Sequence, residues 1–263
     1  MKYVVELNSE ILSVKHYSSA AILGLIIWCI TYSMPGHAEF IEASVPLTST
    51  TPHIPEPMVF DLVRSLGAKK GELEVNTLAQ KSLKGGVVEW APEIEYAFAD
   101  NYAIELELPF ENLNLTHYKF ALQGTLSNPP IIGMVHGWQV FGEKNRGIGK
   151  YSADALYING YRFSKVLSTL NMFGIKRSIL GGDGKAIALM NNNLFYDYSH
   201  NINCGIELNH EINNKGQWSY SLTPQISLNL NHNITLQTGL SFSRLNENRS
   251  AEKIFATRLS VAF

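Results

Sequence analysis

Alternation of apolar and polar residues runs through most of this chain, from about Ala68 to the C-terminus. In the clearest stretch, Ile202, Cys204, Ile206, Leu208, His210 and Ile212 alternate with Asn203, Gly205, Glu207, Asn209 and Glu211. A repeat of two residues places the apolar side chains on one face of an extended strand and the polar side chains on the other. The pattern therefore predicts a series of β-strands, each with one apolar and one polar face.

About twelve such segments can be counted, near residues 69–78, 87–99, 102–112, 115–126, 131–141, 151–163, 166–176, 185–198, 202–212, 218–229, 234–245 and 252–263. Each has roughly ten residues or more, the length that a tilted strand needs to cross a bilayer. Tight turns alternate with longer polar loops between them. Because lipid cannot hydrogen-bond an open sheet edge, a membrane sheet must close. The sequence thus predicts an all-β fold, a closed antiparallel up-and-down transmembrane β-barrel over residues 68–263.

The alternative is a secreted or periplasmic β-sandwich, whose strands would also alternate. Sandwich strands are typically about five to six residues long, shorter than these segments. Aromatic residues also gather at the segment ends, as in the pairs Phe98 with Tyr102 and Trp218 with Tyr220. Rings at both ends of the strands are typical of the two interfacial girdles of an outer-membrane barrel. These features favour the barrel.

The N-terminus carries the layout of a secretory signal peptide. Residues 20–30 form an unbroken apolar run, and Gly36 and Ala38 occupy the −3 and −1 positions of a cleavage site before Glu39. The run is too short to span a bilayer comfortably, although an uncleaved anchor is the alternative. We expect residues 1–38 to be removed, which leaves Cys204 as the single thiol and excludes an intramolecular disulfide. The net charge of −2 gives no sign of a nucleic-acid partner.

The last residues resemble the C-terminal strand signal of outer-membrane proteins. Phe263 ends the chain, with Val261, Leu259 and Phe255 on the same face. The resemblance implies recognition by the barrel-assembly machinery. The expected partners are therefore that machinery, the lipid and lipopolysaccharide of a Gram-negative outer membrane, and a small solute.

The polar face of each strand should point into the lumen. The lumen-lining candidates are Glu72, Glu74, Glu93, Glu95, Glu105, Glu107, His117, Lys119, Arg162 and Arg258. Because the last strand must pair with the first, we expect Arg258 to lie near Glu72 and Glu74. Two interpretations stay open: a charged constriction that selects solutes, or a plug of salt bridges in a narrow barrel.

Residues 39–67 lack the strand pattern, and the stretch 43–57 is rich in Pro, Ser and Thr. This composition predicts a flexible periplasmic lead, or alternatively a plug inside the lumen. A short amphipathic helix is expected over residues 57–65.

Three stretches resemble the family of outer-membrane transporters of the phenol meta-cleavage degradation pathway: GELEVNTLAQ, APEIEYAFADNYAIELELPFE and HYKFALQG. The family elements match Glu93–Tyr96, Asp100, Glu107–Glu111 and Tyr118–Phe120. The resemblance covers about residues 67–125, and it implies a barrel that passes small, aromatic compounds.

The leading functional hypothesis is a passive channel or transporter for small solutes, without a cofactor or a metal. The alternative is a barrel-embedded enzyme such as a phospholipase or a lipid A deacylase. That chemistry needs a nucleophile and a base within hydrogen-bond reach. The expected neighbours of His210 are Trp218 and Tyr220 rather than a serine, and the sequence has no G-x-S-x-G or H-E-x-x-H motif. The sequence therefore predicts a protein that is not an enzyme.

Overall fold

The computed structural model describes residues 52–127, 131–182, 184–244 and 251–263. The predicted signal peptide, residues 1–38, and the first part of the lead, residues 39–51, lie outside the described residues. Within the described part the regular structure is entirely β. No helix there is long and apolar enough to cross a membrane.

The strands are β1 Leu73–Ser82, β2 Val88–Ala99, β3 Tyr102–Glu107, β4 Phe110–Glu111, β5 Asn114–Leu115, β6 His117–Thr125, β7 Met134–Asn145, β8 Tyr151–Arg162, β9 Leu167–Arg177, β10 Ala186–Ser199, β11 Ile202–Asn213, β12 Trp218–Asn229, β13 Ile234–Arg244 and β14 Glu252–Ala262.

Every strand pairs with its neighbours in antiparallel fashion, and β1 pairs with both β2 and β14, which closes the sheet. The short strand β4 follows β3 along the same edge of β2, and β5 returns from it to lead into β6. The fourteen segments therefore form twelve barrel strands. The predicted closed, twelve-stranded up-and-down barrel is confirmed.

The outer surface of the barrel is apolar. Ile94, Leu106, Phe120, Ile226 and Leu259 are 44%, 47%, 53%, 45% and 43% exposed, although each lies within a strand. A closed sheet with many exposed apolar side chains presents a surface suited to hydrocarbon rather than water.

Aromatic pairs flank the turns as the sequence pattern indicates. The ring centroids of Phe98 and Tyr102 are 6.2 Å apart, and those of Trp218 and Tyr220 are 5.4 Å apart. The first pair flanks a tight turn and the second pair follows a longer loop, so the two pairs lie at opposite ends of the barrel. Both the fold and this outer surface are those of an outer-membrane barrel.

The first strand starts later than predicted, at Leu73 instead of residue 69. The residues before it form a turn, in which Lys70 N donates to Asp100 Oδ1 and Gly71 N donates to Ala97 O. Because the strand is displaced along the chain, its register with β14 places Leu78 opposite Arg258. The strand β7 is displaced in the same direction and spans Met134–Asn145 instead of residues 131–141.

The prediction that the polar face of each strand points inward holds only in part for β7 to β10, whose inward face combines polar residues such as Gln139 and Asn191 with apolar ones. Their inward positions carry large apolar side chains that are at most 7% exposed: Phe141, Leu156, Ile158, Leu170, Met172, Leu189 and Phe195. These inward apolar side chains are stable because they pack against residues that precede the barrel and not against water. Ile54, Leu62 and Val63 complete the same cluster.

Those three residues belong to the segment 52–67, which lies in the lumen and which we call the lumen segment. Its side chains meet inward glycines of the wall. A Cβ added to Gly160 would lie 2.9 Å from Ile54 Cγ1, and one added to Gly239 would lie 2.6 Å from Met58 Cε. The helix predicted for residues 57–65 is wrong, because the backbone there is irregular and its N–H groups donate to wall side chains.

Candidate functional site

Four inward glutamates form the centre of one side of the lumen wall. The alternation of β2 and β3 turns Glu93, Glu95, Glu105 and Glu107 inward, and they are 5%, 0%, 1% and 9% exposed. The register places Glu93 directly opposite Glu107 and Glu95 directly opposite Glu105. Like charges that face each other across strands are destabilising. Cations must therefore accompany this acidic wall.

Two cations of the wall meet these carboxylates. Arg258 Nη2 on β14 donates to Glu93 Oε1 at 3.1 Å, and this pair is almost fully buried. Lys119 Nζ on β6 lies 2.5 Å from Glu107 Oε2 and 3.6 Å from Glu105 Oε1. Lys119 also contacts Asp61, a residue of the lumen segment. The acidic wall and the lumen segment are thus joined through a shared cation.

A third cation comes from the lumen segment itself. Arg64 Nη1 lies 2.8 Å from Glu74 Oε2 and 3.7 Å from Glu95 Oε2, while its Nη2 lies 3.2 Å from Glu72 Oε2. Arg258 lies within electrostatic range of Glu74, as expected from the closure of the barrel. The cation in direct contact with Glu72 and Glu74 is Arg64, which the sequence pattern does not predict.

The two remaining predicted lumen residues lie at opposite ends of the barrel. His117 Nε2 lies 2.7 Å from Asn145 Nδ2 and 3.7 Å from Glu143 Oε1, near the longer loops. Arg162 lies near the tight turns, where Nε donates to His53 O at 2.9 Å and Nη1 to Asp197 Oδ2 at 2.9 Å. Arg162 therefore holds the start of the described lumen segment and does not join the acidic wall.

Glu207 on β11 is a site residue that the sequence analysis did not single out. Its carboxylate is fully buried and accepts hydrogen bonds from three consecutive backbone N–H groups, those of Met58 at 3.0 Å, Val59 at 2.9 Å and Phe60 at 2.6 Å. Asn209 Nδ2 adds a fourth at 2.9 Å. One anion thereby satisfies three backbone donors that would otherwise be buried without partners.

Two wall amides hold the other half of the lumen segment. Gln139 Oε1 accepts from Val63 N at 2.9 Å, and its Nε2 donates to Asp61 O at 2.9 Å. Gln123 Nε2 donates to Arg64 O at 2.6 Å. Each amide thus bonds the backbone of the segment much as a neighbouring strand would, so the segment has a defined path across the lumen.

The lumen opens beyond the acidic wall, at the end with the longer loops. A cavity of about 270 Å³ lies there. Its lining includes Gln80, Glu89, Glu107, Glu111 and His117. The acidic wall therefore reaches the mouth of the barrel.

His136 and His210, which lie on the outer face, contact aromatic residues. His136 Nδ1 lies 3.1 Å from Tyr157 Oη, and the His210 ring stacks on Trp218 at 6.4 Å. The register also places His210 opposite Tyr220, as the sequence pattern predicts. These contacts are those of interfacial packing.

Comparisons with solved structures agree on the fold, and one family model matches part of the chain. Residues 51–127 match the family model described as HAEPLYID-like. No curated protein shows significant similarity to the sequence. The NanC porin aligns with a TM-score of 0.58 and 9% identity, over 72% of this chain and 98% of that chain. The KdgM porin aligns with a TM-score of 0.57 and 8% identity, over 72% and 99%.

The COG4313 outer-membrane channel from Pseudomonas putida F1 aligns with a TM-score of 0.56 and 11% identity, over 78% of this chain and 100% of that chain. These neighbours are channels and not enzymes. At such low identity the likeness establishes the fold alone, which is that of outer-membrane porin barrels. The resemblance to the phenol meta-cleavage transporters stays a prediction.

Proposed function

We propose that this protein is an outer-membrane channel for the passive passage of small solutes, with its lumen narrowed by residues 52–67. The observation that carries the proposal is an apolar outer band and an acidic inner wall on one closed barrel. Such a barrel exposes its apolar face to lipid and encloses a polar route across the membrane. The fold shared with the NanC, KdgM and COG4313 channels supports the same conclusion.

The charge of the wall favours cations or neutral solutes over anions. Inward carboxylates outnumber the cations Arg64, Lys119 and Arg258 that contact them. A ring of one charge sign raises the local concentration of ions of opposite sign. The KdgM porin has been solved in complex with disordered oligogalacturonate, an acidic sugar. We expect the acidic wall of this protein to disfavour a solute of that charge.

The opposite wall suits apolar groups. Inward side chains of β7 to β10 such as Phe141, Leu156 and Met172 are apolar, and they form one cluster with residues of the lumen segment. A shift of that segment would uncover an apolar surface across the lumen from the acidic wall. A small aromatic compound, the solute class that the family resemblance implies, would find packing partners there.

The proposal extends to export and assembly. Residues 1–38 would direct the chain across the inner membrane, and lipid and lipopolysaccharide would surround the outer face. The barrel-assembly machinery would recognise β14, whose end is tied to the barrel seam by a hydrogen bond from Phe263 N to Leu73 O at 2.8 Å.

Conductance in planar bilayers tests the proposal. The refolded protein should give discrete conductance steps, and a KCl gradient should give a reversal potential of the sign for cation preference. Replacing a charge at the mouth by Glu107→Gln should reduce that preference. Lys81→Gln on the outer face serves as the control. A protein that migrates as a folded barrel and yet conducts no more than bare lipid would refute the channel.

A further inference from the structure

Four carboxylates from the lumen segment and the barrel wall meet at one point. They belong to Asp61 of the segment, Glu93 of β2, and Glu105 and Glu107 of β3. One oxygen of each lies within 4.8 Å of the chosen oxygens of the other three. Ca²⁺ binds oxygen at about 2.3–2.6 Å, so ligands on opposite sides of the ion are roughly 4.6–5.2 Å apart. Mg²⁺ usually keeps several waters and takes one or two carboxylates, whereas Ca²⁺ accepts several carboxylates in a flexible geometry. Four carboxylates within this limit therefore suit Ca²⁺.

The charge of the cluster also calls for a cation. Lys119 and Arg258 are the side-chain cations in direct contact with these four carboxylates among the described residues. The four carboxylates and these two cations together carry a net charge of −2. An uncompensated charge in a buried site is unfavourable, because the interior screens and solvates it poorly. One divalent cation would balance the cluster.

The second observation is a buried carboxylate that lacks hydrogen-bond donors. Glu105 is 1% exposed, and neither of its oxygens has a hydrogen-bond partner among the described residues. Its nearest cation is Lys119 Nζ, at 3.6 Å from Oε1. Asp61 Oδ1 is likewise buried without a hydrogen-bond partner there. Buried polar atoms are nearly always satisfied in folded proteins, so these oxygens indicate a ligand in the cluster.

We propose that Asp61, Glu93, Glu105 and Glu107 bind one divalent cation, with Ca²⁺ the best match. Since Asp61 lies on the lumen segment and the other three lie on the wall, the ion ties the segment to the barrel. Binding of the ion does not depend on the proposed channel. Its consequence, a channel that conducts less with Ca²⁺ than after chelation, does rest on that function.

Ca²⁺ titration of the full-length refolded protein, freed of metal by chelation, tests the site. We expect about one saturable site by calorimetry and a higher unfolding temperature in Ca²⁺ than in the chelator. Glu105→Gln and Asp61→Asn should each weaken binding at least about tenfold, because each removes a charged ligand. Glu211→Gln, an inward glutamate outside the cluster, should bind like the unchanged protein. Absence of binding, or equal binding by Glu105→Gln, overturns the proposal.

A variant without the Lys119 charge distinguishes binding of a metal ion from neutralisation of the four carboxylates by Lys119 itself. Lys119→Met removes a competing positive charge, so it should bind Ca²⁺ more tightly than the unchanged protein. If Lys119 alone neutralises the cluster, this variant will be less stable and Ca²⁺ will not restore its unfolding temperature, which contradicts the site. Calorimetry and unfolding report on the ion whether or not the barrel conducts. A bilayer that shows no conductance would therefore refute the proposed channel. Calorimetry would still decide whether the metal site exists.

Discussion

The contact between Glu207 and the lumen segment allows a quantitative prediction. Glu207→Gln keeps the size of the side chain and removes its charge. The oxygen of the new amide can still accept from Met58 N and Val59 N, which both bond Oε2. The amide NH₂ group then faces Phe60 N and Asn209 Nδ2, which donate to Oε1 at 2.6 Å and 2.9 Å in the unchanged protein. A donor cannot accept these hydrogen bonds, so both are lost.

The size of the effect follows from these contacts. A hydrogen bond to a charged acceptor contributes about 1.5–3 kcal/mol, and a buried donor without a partner costs about 1–3 kcal/mol. Because the remaining bonds to the neutral amide are also weaker, we expect the docked state of the segment to lose about 2–4 kcal/mol relative to the displaced state. The displaced population should rise roughly 30- to 1000-fold.

Hydrogen exchange measured by mass spectrometry would detect this change. Peptides that cover residues 52–67 should exchange faster by that factor, while peptides from the strands keep their protection. Glu211→Gln, the same substitution on the same strand and face, should leave the exchange of the segment unchanged. Equal protection of the segment in Glu207→Gln and in the unchanged protein would refute the role given to this carboxylate.

Three further predictions concern the barrel itself. Arg258→Met leaves the buried Glu93 without its partner and should lower the free energy of unfolding in urea by about 3–5 kcal/mol. Ile226→Lys places a charge on the lipid face and should cost about 2–4 kcal/mol in liposomes, whereas Ser227→Lys on the lumen face should cost less. Phe263→Ala should lower the amount of folded barrel in outer-membrane fractions, and an unchanged amount would argue against recognition of this residue by the assembly machinery.

The barrel could be predicted from sequence because a bilayer imposes a local rule. Every strand must cross the same thickness and present an apolar face to lipid, so the alternation around residues such as Ile226 and Leu259 is visible in a short window. The end-to-end closure follows from the same requirement. For ten of the twelve barrel strands, the predicted and observed ends therefore agree within about two residues. In this comparison β3 with β4, and β5 with β6, each count as one strand.

The contents of the lumen could not be predicted in the same way. Inward apolar residues such as Met172 make the inward face of β7 to β10 partly apolar, so the period of two alone does not tell which face meets lipid. Glu207 reads in sequence as one more polar residue of an alternating strand. Its partners lie 147 to 149 residues earlier in the chain, and no local pattern reports contacts at that separation.

The register of the first strand places Leu78 opposite Arg258 and so keeps Glu72 and Glu74 out of direct contact with it. A sequence pattern locates a strand end only within about two to four residues. A shift of that size moves an inward side chain by one or two steps along the wall. The sequence predicts Arg258 near Glu72 and Glu74, but the cation in direct contact with both is Arg64, a residue from a segment without any strand pattern.

A reversible cross-link between the lumen segment and the wall tests whether residues 52–67 narrow the channel. Ile54 Cγ1 lies 2.9 Å from the position of a Cβ on Gly160. The two β-carbons are therefore within about 4.5 Å, which a disulfide can bridge. In a protein with Cys29 and Cys204 replaced by serine, Ile54→Cys with Gly160→Cys should form this disulfide in the folded barrel. Bilayer conductance should be lowest in the oxidised protein and rise on reduction. A folded barrel that forms no cross-link, or one that conducts equally in both states, would contradict a channel narrowed by residues 52–67.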